Sequence, residues 1–140
     1  MNITSTEDPL DLKICSQIFN RLYNSDNGIH SLERLAESTI QIVRDGTEII
    51  GFIVTTKRNK EIYIEKVCVG ENYQDQGIGS ELITNVLDDA KKEGLENVST
   101  LTHRTSLFSR LGFIPEEPRH RTNHSPEKEY MNPINMVYYL

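Results

Sequence analysis

Tyr73-Gln74-Asp75-Gln76-Gly77-Ile78-Gly79 joins two segments of different hydrophobic period. Ahead of it, Glu61 to Val69 reads as a strand. Its alternation sets Ile62 and Ile64 on one side and Tyr63, Glu65, Val67 and Val69 on the other, unless a bulge shifts the register. Behind it, Gly77 to Glu93 reads as a helix. Ile78, Leu82, Ile83, Val86, Leu87 and Ala90 draw one apolar stripe, and Gly94 is the left-handed stop. The first amides of a helix have no internal partner and point toward the preceding loop. Glycine lets a ligand approach the backbone closely. The segment therefore predicts an anion cradle built from amides of about Gln76 to Ser80. Glycine spacing alone does not separate such a cradle from a tight strand-to-helix turn. There is no Gly-Lys-Ser/Thr, which excludes a P-loop, and Leu82 stands where a dinucleotide fingerprint needs glycine.

Outward from this centre the chain predicts strands before, around and after the helices. Ile3 to Thr6 reads as a short strand, and Asp8-Pro9 opens a helix carrying Leu12, Cys15, Ile18, Phe19 and Leu22. Ser31 to Ala36 resembles a further helix start. Thr39 to Arg44 and Glu48 to Thr56 flank a hairpin turn at Asp45-Gly46. Val98 to Thr102 is a strand, and Thr105 to Leu111 a short helix stopped at Gly112. Phe113-Ile114 starts a strand, and Ile134 to Leu140 closes the chain. Between them Glu116 to Pro133 reads as a long polar loop. The order implies an α/β (α+β) domain over residues 1–140: a mixed, mostly antiparallel sheet with helices on both faces.

Charge narrows the partners. With 15 Lys+Arg against 21 Asp+Glu the net charge is −6, which argues against nucleic acid and anionic membranes, since both need a positive field. Cys15 and Cys68 lack metal-ligand spacing and read as reduced thiols. No basic, then apolar, leader and no membrane-length apolar run is present, so a cytoplasmic location is expected. His120 and His124 share no third ligand at sensible spacing, so no metal is expected.

The segment Tyr73 to Gly79 with its following helix resembles the coenzyme-A motif of the GCN5-related N-acetyltransferases, Gln/Arg-x-x-Gly-x-Gly/Ala. Leu107-Phe108-Ser109-Arg110-Leu111-Gly112-Phe113-Ile114 resembles that family's next motif, in the right order. The likeness covers about residues 40 to 116. It implies the acyl-CoA N-acyltransferase fold and transfer of an acetyl group from acetyl-CoA, without a metal, to the amine of a small molecule or amino acid. It assigns Gln74, Asp75, Gln76, Gly77, Ile78, Gly79 and Ser80 to the pyrophosphate and the Val67-Cys68-Val69 strand to the thioester arm. Asp75 departs from the family's usual Gly or basic residue, so its carboxylate must turn to solvent. The fold also pairs often through its terminal strands, which makes a homodimer an option.

Transfer requires a proton acceptor for the amine and a polarising donor for the carbonyl. The resemblance implies Glu65 as the base, although many members carry the Glu two residues earlier, where this chain has Tyr63. Phe108 falls where many members have a proton-donating Tyr. Having no proton to give, it is assigned to cofactor contact, and Tyr130 or His120 is left as the acid. Leu101-Thr102-His103-Arg104-Thr105 resembles the branch that makes N-acetylglutamate, as do Pro126-Glu127-Lys128 and Tyr130-Met131-Asn132. That likeness implies Arg104 as a fork for an acceptor carboxylate, with Arg119 and Arg121 as further cations. Two other readings remain: a catalytically weak acyl-CoA-binding regulatory module, and an enzyme acting on a protein amine.

Overall fold

A computed structural model describes residues 2–23, 38–116 and 133–140. The expected helix at Ser31 to Ala36 and nearly all of the loop from Glu116 to Pro133 lie outside these residues. So do Arg119, His120, Arg121, His124, Lys128, Tyr130 and Asn132.

Chain order is β1 (Asn2–Thr6), α1 (Pro9–Tyr23), β2 (Thr39–Asp45), β3 (Glu48–Arg58), β4 (Glu61–Val69) and a 3-10 turn (Glu71–Tyr73). Then come α2 (Ile78–Glu93), β5 (Asn97–Thr102), α3 (Thr105–Arg110), β6 (Ile114–Pro115) and β7 (Ile134–Tyr139). Among the described residues the strands form one sheet in the order β1-β2-β3-β4-β5-β7-β6. Every pairing is antiparallel except β4 with β5. The mixed, mostly antiparallel sheet expected from the sequence is thus observed. The lone parallel pair follows from α2, which carries the chain back across the sheet before β5 begins.

The two faces bury different cores. Cys15 and Ile18 of α1 pack with Ile40, Ile42, Ile49, Phe52, Val54 and Cys68. On the other face the apolar stripe of α2 packs on Val43, Ile53, Ile64 and Val98, with Phe108, Phe113 and Met136 extending that core. Gly94 ends α2 at φ +75, with its N–H on Lys91 O and the Leu95 N–H on Ala90 O, a paired cap that satisfies two terminal carbonyls. No helix among the described residues is long and apolar enough to cross a membrane.

Strict alternation along β4 does not hold. Val54 faces Lys66 while Thr55 faces Ile64, so Glu65 is an extra residue with no cross-strand partner, a β-bulge. The bulge shifts the phase of the strand by one. Ile62, Ile64, Val67 and Val69 therefore all pack in the core beneath α2. The expected shared face of Glu65, Val67 and Val69 is corrected accordingly.

Candidate functional site at a strand fork

β4 and β5 pair only from Glu61↔Asn97 to Ile64↔Thr100. Beyond that rung they part. The remainder of β4, Glu65 to Val69, keeps β3 on one edge and, among the described residues, has no paired strand on the other. A fork between parallel strands leaves backbone donors and acceptors of β4 facing open space, where a ligand can bond to them.

The fork opens into a cavity of about 670 Å³. Val67, Cys68 and Val69 form one wall, and Gln74, Asp75, Gly77, Ile78, Gly79 and Ser80 form another. Arg104, Leu107 and Arg110 close the far side, and Leu22 reaches it from α1. The cofactor residues expected from the loop thus come together on one cavity. Gln76 stays outside this lining and reaches back toward Asn72 O.

Local geometry explains the loop. Gly77 caps α2 at φ +82, a conformation that L side chains rarely adopt. Asp75 also has a left-handed backbone, φ +63, and its side chain is exposed. Two bonds pin the entry: Gln74 Nε2 donates to Val69 O at 3.0 Å, and Tyr73 Oη donates to Glu48 Oε2 at 2.9 Å. That bond to Glu48, followed by burial, raises the Tyr73 pKa. The Glu81 N–H bonds to Gly77 O. The amides of Ile78, Gly79 and Ser80 precede the first turn's closure and have no helical acceptor. With the positive end of the helix behind them, these donors have the arrangement that can hold an anion.

Glu65 stands one residue past the last β4–β5 rung, half-buried, where its Oε1 accepts from Thr56 Oγ1 at 3.2 Å. Tyr63 is close to it. Burial first, then the Glu65 charge, push the Tyr63 phenol above its ordinary range, while the Leu101 N–H pulls the other way. Cys68 is buried, and burial pushes its thiol up to about 12, so its side chain belongs to the core under α1. What it offers the cavity is backbone.

Phe108 moves away from its expected role. It is 3% exposed and meets Phe113 edge-on, ring centroids 5.1 Å apart. It is a core residue, and the cavity is lined by its neighbours Leu107 and Arg110 instead. Sequence reading missed Arg110 and Leu22. The signal for Arg110 was present: it lies three residues after Leu107, which puts the two on one face of α3, and Arg104 caps the start of that helix. Arg104, expected at this helix, does line the cavity, and its backbone N–H is held by Thr102 Oγ1 at 2.8 Å. Among the described residues no group of three His, Cys, Asp or Glu is arranged to hold a metal.

The sequence profile of the Acetyltransferase (GNAT) family matches residues 10–113. A curated relative, the uncharacterized N-acetyltransferase YvbK of Bacillus subtilis, is 31% identical over 74 residues. That match spans 49% of this chain and about half of the relative, 48%. Among solved structures, an aminoglycoside 6'-N-acetyltransferase complexed with coenzyme A superposes with a TM-score of 0.80 at 14% identity, covering 99% of this chain and 97% of that one. The paia N-acetyltransferase of Thermoplasma acidophilum, in complex with coenzyme A, gives 0.71 at 15% over the full length of both. The ribosomal-protein-S18-alanine N-acetyltransferase of Escherichia coli gives 0.76 at 18%, covering 99% of this chain and 92% of that one. At these identities the structural likeness establishes the fold.

Proposed function

Because the chain belongs to the acetyltransferase (GNAT) family, we propose that it moves an acetyl group from acetyl-CoA to the amine of a small molecule or amino acid by direct transfer. One observation carries the reading. The β4–β5 fork leads into a cavity whose wall includes the amide-bearing start of α2. Such a site holds a pyrophosphate at one end and presents unpaired strand backbone to an extended arm.

Acetyl-CoA supplies the thioester. The chain's own groups do the rest. The amides of Ile78, Gly79 and Ser80, with Gly77 beside them, bind the pyrophosphate, and backbone from Val67 to Val69 aligns the thioester arm and polarises its carbonyl. The neutral amine forms the new C–N bond as the C–S bond breaks, and the electron pair leaves on sulfur. Glu65 takes the proton from the amine. Arg104 receives the carboxylate of an amino-acid acceptor, its exposed guanidinium giving the paired donors such a group prefers.

The test is a panel of amino acids, small amines and peptide amino termini incubated with the chain and labelled acetyl-CoA. Thiol release is followed together with product mass. Label on a small amine supports the proposal. Label on peptide termini alone redirects it to a protein acceptor. Coenzyme-A binding without thiol release on any acceptor leaves a binding module.

A further inference from the structure

Two hydroxyls stand behind Glu65. Thr56 Oγ1 donates to Glu65 Oε1 at 3.2 Å, and Ser38 Oγ lies 2.8 Å from Thr56 Oγ1. Counting donors fixes the direction of this chain. An ionised carboxylate only accepts, and a hydroxyl has one proton. Thr56 gives its proton to Glu65, so Ser38 must donate to Thr56. We propose that Thr56 and Ser38 are positioning residues for Glu65. They hold Oε1 in a directed run of hydroxyls and leave Oε2 to take the proton from the acceptor amine. This rests on the reading of Glu65 as the base.

The bulge creates the need. An extra residue in β4 has no opposite partner to steady it, and a Glu side chain has several rotatable bonds. Thr56 answers both problems, because it pairs with Tyr63 across the strands and so sits beside the bulge. All three groups are half-buried, where a bond to a charged acceptor is less diluted by water. The chemistry of the partner also matters. A cation would hold the carboxylate more tightly but would oppose its protonation. Among the described residues the ion pairs engage Asp11, Glu93 and Glu96. Lys66, next in sequence to Glu65, lies over the Phe19 ring at 4.6 Å. A neutral hydroxyl steadies the base at less cost to its function.

The experiment measures steady-state rates of Thr56→Val, Thr56→Ser, Ser38→Ala, Glu65→Gln and the Thr56→Val/Glu65→Gln pair, with acetyl-CoA and the best acceptor of the panel. Glu65→Gln is expected to lower kcat by about 100-fold, the lower end for a general base. Thr56→Val should lower it about tenfold, the worth of one bond to a charged group, with the KM for acetyl-CoA unchanged. Thr56→Ser restores the rate. In the Glu65→Gln background Thr56→Val should cost nothing further, because it acts only through the carboxylate. If the two losses multiply, or Thr56→Val is neutral while Glu65→Gln is slow, this proposal falls and the base reading stands. If Glu65→Gln keeps the full rate, or the chain transfers to no acceptor, both fall. Should Thr56→Val not fold, Ser38→Ala at the outer end tests the same run of hydroxyls: a smaller loss of kcat supports it, and an unchanged rate overturns it.

Discussion

Ile64 and Thr100 form the last rung between β4 and β5, and Thr100 closes it with its side chain as well: its Oγ1 donates to the Ile64 carbonyl at 3.0 Å. Thr100 is 3% exposed, so this bond is made away from water. The fork begins at the next residue, Glu65. One buried hydroxyl thus marks the point where the ladder stops, three residues ahead of Val67, where the cavity's strand wall begins.

Thr100→Val keeps the shape and the β-branched strand preference but removes that donor. It is expected to destabilise the fold by about 1 to 2 kcal/mol, as lost buried hydrogen bonds do. Thr100→Ser should recover most of it. Urea unfolding of the three proteins checks this, and equal midpoints would show that the hydroxyl does not secure the rung.

Asp11 makes stability depend on acid. Its carboxylate accepts from Thr6 Oγ1 at 2.7 Å and from Arg44 Nη2 at 3.0 and 3.1 Å, tying α1 to β1 and β2. The Thr6 bond foremost, and the Arg44 guanidinium after it, hold the carboxyl below its usual range against the opposing effect of burial. With a lowered folded value, the unfolded chain takes up the proton first as pH falls. The contribution is complete above about pH 4, the ordinary carboxylate value, and is lost as pH drops through the folded value. Asp11→Asn should therefore lower Tm at neutral pH, with the gap to the parent closing in acid. A gap that stays constant across that range would mean that Asp11 is not the group responsible.

Cys15 and Cys68 pack in the same core beneath α1, and burial is the chief cause that pushes both thiols up to about 12. Neither presents a thiolate at neutral pH, and neither is open to reagent. A thiol-reactive chromophore should modify neither in the folded chain and both in denaturant. Rapid modification of Cys68 in the native state would mean that its side chain, and not only its backbone, faces the cavity.

The parts legible in the sequence were those set by neighbours along the chain. The period change across Tyr73 to Gly79 and the stop at Gly94 each act within a few residues, and the structure places both as read. The hairpin turn expected at Asp45-Gly46 falls one residue later, at Gly46-Thr47, because Asp45 still pairs with Glu48 at the end of β2. The bulge at Glu65 was not legible. A bulge exists only against the partner strand, and Ile62 to Val69 alternates just as well without it. The fork was hidden for the same reason, since it is a relation between β4 and β5 with α2 between them in sequence. Phe108 carried a motif position, yet Phe113 and the core decide where its ring goes. Motif spacing fixes backbone order, while the direction of one side chain depends on what packs against it.

Gly77 and Gly79 should answer the same substitution with opposite signs in stability. Gly77 holds φ +82 with open space where a Cβ would stand, so Gly77→Ala meets no clash but incurs left-handed strain of about 1 to 2 kcal/mol. Gly79 lies inside α2, and a Cβ there would make ordinary contact with Val67 and Val69 at 3.9 Å. Gly79→Ala removes backbone entropy from the unfolded chain and should stabilise the fold by about 0.5 to 1 kcal/mol. Only the first change acts on the cradle, by distorting the turn that aims the amides, because the coenzyme-A motif accepts Ala at the second position. Acetyl-CoA binding, measured by calorimetry, should therefore weaken for Gly77→Ala and stay near the parent's for Gly79→Ala, while Tm falls for the first and rises for the second. If Gly77→Ala binds acetyl-CoA as tightly as the parent, the start of α2 is not where the pyrophosphate sits.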